Sequence, residues 1–263
     1  MKTFPGLTMV RAENPSPMTL DGTRTFVVGA RRMVIIDPGP DDAQHLAKLL
    51  EVAKGGRVEA ILLTHIHPDH AAGAESLADR LDASVWRGRG AAEQWPAVHA
   101  DHWLKGDDEF VTDRGLLRAI ATPGHSPDHH AFHWTGAPDG GNGVFVGDLL
   151  MGEGDTTLVA APEGDLSDYL QSLERVAALD AERLFPAHGP IIADAAAAIV
   201  RYRRHRAERI EQVRALIRER GRISASEMVK EIYGAALDPA LEGAAEASVM
   251  TILAYLDARE DAS

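Results

Sequence analysis

Hydrophobic positions along the chain change period from segment to segment. Residues 24–30 and 32–36 are short runs rich in valine, isoleucine and phenylalanine, and they predict two strands joined by a tight turn. Asp37-Pro38-Gly39-Pro40 breaks the second run. From 41 to 54 the apolar residues fall three and four apart, the spacing of a helix with one buried face. Residues 58–63 predict a buried strand ending at Thr64, and the alanine-rich stretch 70–81 predicts a helix. Further strands are expected at 117–121, 130–134, 143–147 and 182–185, with a helix over 166–178 that Asp165 or Ser167 can cap. Strands alternating with helices of this kind predict an α/β domain whose helices cover the faces of its sheets.

Near residue 192 the pattern changes. Alanines lead into RYRRHRAERIEQVRALIRER, a long charged helix ended by Gly221, and residues 224–233 and 242–257 predict two more helices. The expected organisation is a main domain over 1–195 and a small helical appendage over 196–263.

At 263 residues the chain suits that division. Its 45% hydrophobic and 25% charged content excludes disordered and fibrous classes. With no cysteine, disulfides and thiolate metal ligands are excluded. The first residues lack the apolar core of a signal peptide, and no apolar run reaches the roughly 18 residues of a membrane span. A cytoplasmic protein with no membrane partner is therefore expected. The net charge of -13 argues against a broad nucleic-acid-binding face. That charge resides in the first 200 residues, because 11 basic and 11 acidic residues cancel from Arg201 onward. Within 201–222, however, nine arginines face three glutamates. This basic helix is either a solvated face laced with salt bridges or a rail that leads phosphates, including those of a nucleic-acid partner, toward a site.

Where the twelve histidines fall decides the chemistry. Thr64-His65-Ile66-His67-Pro68-Asp69-His70 directly follows a predicted buried strand. Residues at i and i+2 leaving a strand can converge on one ion from the same side. Asp69 and His70, at the start of the next helix, can face a second ion. His125 in ATPGH, Asp148 in VGD and His188 in FPAHG each follow a predicted strand, where α/β proteins build their sites. Imidazole and carboxylate together suit zinc, with manganese or iron as alternatives. His129 is either a residue facing the ligands or a strand-edge histidine. His130 and His133 are expected on a strand face, and His99, His102 and Trp103 in an irregular segment. His45 and His205 are expected to be solvated helix residues.

Together these motifs resemble the metallo-β-lactamase-fold superfamily over about residues 20–195. The resemblance implies an αββα sandwich with two metals at one edge of the paired sheets. His65, His67 and His125 would hold the first metal, Asp69, His70 and His188 the second, and Asp148 would bridge them. Asp37, Thr64 and His129 would support these ligands from behind. TPGHSPDHH, GDLLMGEGDT, LSDYLQSLERV and FPAHGP, with the arginine-rich helix and SASEMVKEIYG, resemble more narrowly the β-lactamase-like protein 2 group. That group carries a winged-helix-like appendage and includes endoribonucleases. Arg24 stands in GTRTF where an asparagine is usual in the group.

The function implied is hydrolysis of an ester, thioester or related small-molecule substrate by a hydroxide shared between two Zn2+ ions, with Mn2+ or Fe2+ as alternatives. Asp69 would orient this nucleophile and take up a proton. A metal-dependent endoribonuclease acting on single-stranded RNA through the 201–222 helix is the alternative. A true β-lactamase is disfavoured, since one class of these uses a cysteine ligand. A flavodiiron-like role is disfavoured by histidine at 67 in place of a carboxylate.

Overall fold

The computed structural model describes residues 1–90, 98–137 and 141–260. Two sheets face each other. The first contains β1 (Lys2–Phe4), β2 (Leu7–Arg11), β3 (Arg24–Val28), β4 (Arg32–Ile36), β5 (Arg57–Leu62), β6 (Ser84–Arg87) and β7 (His102–Trp103), in chain order. Its pairings are antiparallel up to β4 and parallel from β4 onward. The second runs in the order β12-β11-β10-β9-β8, from β8 (Glu109–Thr112), β9 (Gly115–Ala121), β10 (His130–Thr135), β11 (Gly143–Gly147) and β12 (Arg183–Pro186). Only β11 and β12 pair in parallel there. All seven strands expected from the sequence are present. The unanticipated ones, β1, β2, β6, β7 and β8, are five residues or fewer, too short to show a period of two.

Alternation along the strands divides the core. Phe26 and Val28 of β3 and Val34 and Ile36 of β4 point between the sheets, where they meet Phe132, Trp134, Phe145 and Phe185. Phe26 and Phe145 ring centroids lie 5.0 Å apart, and those of Phe145 and Phe185 4.7 Å. Val27, Met33, Ile35 and Ile61 point outward, beneath Leu46 and Leu49 of α1 (Ala43–Ala53) and Leu77 of α3 (Ala74–Leu81). Ala131, Val144 and Val146 line the outer face of the second sheet, under α4 (Leu166–Ala177) and α5 (Ala195–Arg220). The result is the expected αββα sandwich with a helical C-terminal region. In that region α6 (Ala225–Tyr233) and α7 (Glu242–Glu260) follow α5. Met228, Val249, Ile252 and Leu256 join the same cluster as Leu149, Tyr169 and Leu173, so these helices share a core with the second sheet. Among the described residues no strand follows β12, and no helix is long and apolar enough to cross a membrane.

Three local expectations are refined. Asp165, not Ser167, caps α4 by accepting the Asp168 N–H at 2.8 Å. The helix expected over 70–81 is two pieces, α2 (Pro68–Ala71) and α3. At the break the Gly73 N–H bonds Gly39 O at 2.9 Å, and a Cβ on Gly73 would lie 3.2 Å from Pro40 O, a close approach that glycine makes without displacing its neighbours. His45 is not solvated. It is 1% exposed on the inner face of α1 and hydrogen-bonds Thr25 Oγ1 through Nε2 at 2.9 Å. His205 is likewise mostly covered, its side chain 12% exposed beside Asp155. His130 and His133 lie on β10, as expected.

Candidate metal centre

Strands from both sheets end at one place. β5 delivers Thr64, His65 and His67, and α2 adds Asp69 and His70. From the second sheet, His125 follows β9, Asp148 follows β11 and His188 follows β12. The His130 N–H bonds Thr64 O at 2.7 Å and ties the sheets together here. Gly147, at φ +48°, leaves no room for a side chain: a Cβ would sit 2.7 Å from both His129 Nε2 and Thr64 Oγ1.

Seven side chains converge in overlapping groups: His65 with His67 and His125, His65 with His70 and Asp148, and Asp69 with His70 and His188. The two sets meet at Asp148. Its Oδ1 lies 3.4 Å from His70 Nε2 and 3.2 Å from His188 Nε2, while Oδ2 lies 3.7 Å from His125 Nε2. Asp69 Oδ2 is 3.4 Å from His70 Nε2 and 3.2 Å from His188 Nε2.

Each ring is held from behind, which decides which nitrogen it turns to the centre. Asp37 accepts from the Thr64 hydroxyl and, at 2.9 Å, from His70 Nδ1. With its proton given to Asp37, Thr64 Oγ1 accepts from His65 Nδ1 at 3.0 Å. His125 Nδ1 donates to Leu158 O at 2.7 Å. His67 Nε2 donates to Glu163 at 2.8 Å. His188 Nδ1 faces Gly22 O at 3.5 Å. The Thr23 hydroxyl reaches Asp69 Oδ2 at 3.3 Å and is itself held by Asn14 Nδ2 at 2.9 Å. His129 donates from Nδ1 to Thr122 Oγ1 and accepts the Asp148 N–H at Nε2, 3.3 Å away. It thus sits behind Asp148 and is not a ligand. Arg24 grips both oxygens of Asp21, at 2.9 and 2.8 Å, and its N–H bonds Ala187 O, bracing the turn beside His188.

No motif or spacing pointed to Glu163, Asn14, Thr23 or Leu158. Glu163 lies in a polar loop with no ligand spacing, and Leu158 acts through its backbone. His102 and Trp103, expected in an irregular segment, instead form the edge strand β7, with the exposed His102 ring stacked on Trp86 at 4.2 Å, and the exposed His99 lies three residues before it.

These residues fit metal ions. His65 Nε2, His70 Nε2 and Asp148 Oδ1 are buried with no hydrogen-bond partner among the described residues, a costly arrangement unless a cation satisfies them. His67 Nδ1 and His125 Nε2, both left as acceptors, lie 3.1 Å apart. Two nitrogens on a tetrahedral zinc would be about 3.3 Å apart. The electrostatics agree. Burial holds His65 and His125 neutral, their pKa values below the usual histidine range. At the other set burial is outweighed: Asp69, Asp148 and Asp37 raise His70 well above that range. Asp148 chiefly raises His188, to about 9, against its burial. Asp69 is drawn down to about 2, chiefly by His70, against its own burial.

Comparison with known proteins gives a consistent picture. Residues 19–188 match the Metallo-beta-lactamase superfamily. A Beta-lactamase-like protein 2 homolog of Drosophila melanogaster is 34% identical, over 84% of this chain and 77% of its own. An atrochrysone carboxyl ACP thioesterase of Passalora fulva is 30% identical, over 89% of this chain and 70% of its own. The fold matches a Beta-lactamase domain protein from Burkholderia ambifaria with a TM-score of 0.79 at 23% identity, covering 97% of this chain and 88% of that one.

Proposed function

The chain belongs to the metallo-beta-lactamase superfamily, and within it we propose a dinuclear zinc hydrolase, with manganese or iron as alternative metals, that acts on esters, thioesters or related small acyl substrates. The observation that carries this reading is Asp148, whose two oxygens face the two ligand sets. Ions bound there would acidify a water and polarise the carbonyl under attack.

The chain's own residues do the rest. His65, His67 and His125 form one neutral set. Asp69, His70 and His188, with Asp148, form a second that carries negative charge once its two histidines give up their extra protons. Asp69 is the most open carboxylate of the seven, its side chain 28% exposed against 12% for Asp148. It is the group placed to orient the attacking water and take up its proton. His65 and His70 have no exposed surface and keep bulk water off the inner side. The thioesterase named among the relatives supports an acyl substrate. Residues 1–195 would form the catalytic unit, with 196–263 as a helical appendage packed on it.

The ribonuclease alternative rests on the basic helix, and α5 commits most of its arginines within the molecule. Arg203 pairs with Glu174, Arg204 with Glu208, Arg214 with Glu211, Arg220 with Glu231 and, just past the helix, Arg222 with Asp257. Arg201 and Arg206 bond the carbonyls of Gly154 and Thr157. This favours a structural helix over a phosphate rail.

A turnover panel on zinc- and manganese-loaded protein tests the proposal, using a thioester, a lactone, a chromogenic β-lactam, bis-p-nitrophenyl phosphate and single-stranded RNA. Turnover is expected on the thioester or lactone. RNA cleavage that is lost with Arg201→Gln and Arg204→Gln, with no acyl turnover, would overturn it.

A further inference from the structure

Asp37 serves both ligand sets, holding His70 directly and His65 through Thr64, but the rest of their support comes from different parts of the chain. Behind the Asp69–His70–His188 set stand Asp37, Asn14, Thr23 and the Gly22 carbonyl, all from the first 40 residues. Behind His67 and His125 stand Glu163 and the Leu158 carbonyl, both on the loop that leads from Asp148 to α4. The Glu163 side chain is only 8% exposed and its Oε2 lies 2.8 Å from His67 Nε2. A carboxylate placed there fixes the tautomer, keeps the proton off Nδ1 and makes that nitrogen a stronger electron-pair donor to a cation.

That loop holds itself only in part, through Thr157 Oγ1 to Asp148 O at 2.8 Å and the Gly164 N–H to Ala160 O at 2.7 Å. The C-terminal helices grip it along its length. Tyr202 of α5 accepts the Met151 N–H at 2.9 Å and donates to Met151 O at 3.0 Å. Arg206 of α5, 3% exposed, bonds Thr157 O, next to the carbonyl that His125 uses. Thr251 of α7 accepts the Ala161 N–H at 3.0 Å, two residues before Glu163, and is anchored by donating to Ala247 O at 3.0 Å.

We propose that Glu163 is a positioning residue that sets the metal affinity of the His65–His67–His125 set, and that α7 controls its placement through Thr251. The C-terminal helices are then part of the metal centre's scaffold, in addition to any role in recognition. This rests on the metal-centre reading above. Glu163 acts through His67 and touches no substrate in this scheme.

Zinc titration against a competing chelator, with cobalt(II) absorption to distinguish the two sets, tests it on the full chain. The unaltered protein is expected to take up two ions. Glu163→Ala should weaken the histidine set by about tenfold or more and leave the other unchanged. Glu163→Gln keeps an acceptor but not the charge, and should fall between. Thr251→Val, which keeps the shape and loses the hydroxyl, should weaken the same set by a smaller factor. Asn14→Ala should weaken only the Asp69–His70–His188 set. Should Glu163→Ala not fold, Glu163→Gln decides by the same comparison. Two ions bound by Glu163→Ala as tightly as before, or equal weakening of both, would overturn the inference alone. No ion bound by the unaltered protein would overturn the metal-centre reading and this inference with it.

Discussion

Asp37 holds Thr64 twice, accepting its backbone N–H at 2.7 Å and its hydroxyl at 2.7 Å across 27 positions of sequence. The grip extends to two ligand histidines, since the hydroxyl orients His65 and the same carboxylate oxygen takes His70 Nδ1. Asp37 sits at φ +50°, a conformation asparagine shares readily, so Asp37→Asn tests the carboxylate without straining the backbone. Its amide N–H groups would face donors. Zinc affinity is expected to fall about 10–100-fold, as is usual for groups that orient metal ligands. Chelator competition measures this, and unchanged affinity would remove Asp37 from its role.

Asp148→Ala removes the carboxylate whose two oxygens face the two ligand sets. Its kcat/KM on the best acyl substrate should fall at least about a hundredfold, and His65→Ala should match it, because ions of this kind contribute several kcal/mol to catalysis. Metal content read beside activity separates a lost ion from a misplaced one.

The protons on His70 and His188 compete with metal. The His188 pKa stands at about 9, raised by Asp148, and that of His70 is raised by Asp69, Asp148 and Asp37, so both rings carry a proton at pH 7. An ion must displace these protons, so apparent zinc affinity should rise with pH from 6 to 8 and fall on acidification. The neutral His65 and His125 add no such dependence near pH 7. Competition titrations at pH 6, 7 and 8 check the slope, and a flat profile would contradict the charge assignment.

His45→Ala should destabilise the fold and leave the chemistry intact. It breaks a buried hydrogen bond to Thr25, at a cost of about 1–3 kcal/mol. Denaturant unfolding should register the loss, while metal stoichiometry and turnover per folded molecule stay unchanged.

The residues that the structure gathers at this edge were legible because the sequence writes them densely: His65, His67, Asp69 and His70 fall within six positions, and His125, Asp148 and His188 each follow a strand that its apolar run announces. The helix pairs with the sheets were legible for the same reason of periodicity. His45 was also legible in principle, since it lies four residues from Leu49 on the face that α1 buries. A polar residue type concealed a core position. Glu163 and Asn14 were not legible. Glu163 reaches His67 across 96 positions, and Asn14 reaches Asp69 only by way of Thr23, and no local spacing marks such contacts. The short strands β6 and β8 were hidden by their length, because four residues offer too few alternations to reveal a period.

Each ligand set takes members from both sheets: His65 and His67 meet His125, and Asp69 and His70 meet His188. An ion in either set is therefore a covalent-like crosslink between two layers that are otherwise held together mainly by apolar packing. It closes the chain between positions about 60 and 120 residues apart, as a disulfide would, in a protein that has no cysteine to make one. By mass action, a free metal concentration a hundredfold above the dissociation constant would add about 2.7 kcal/mol per site to the stability of the fold. Chelation should then loosen the sandwich at this edge first, so that metal supply governs the lifetime of the folded protein as well as its turnover.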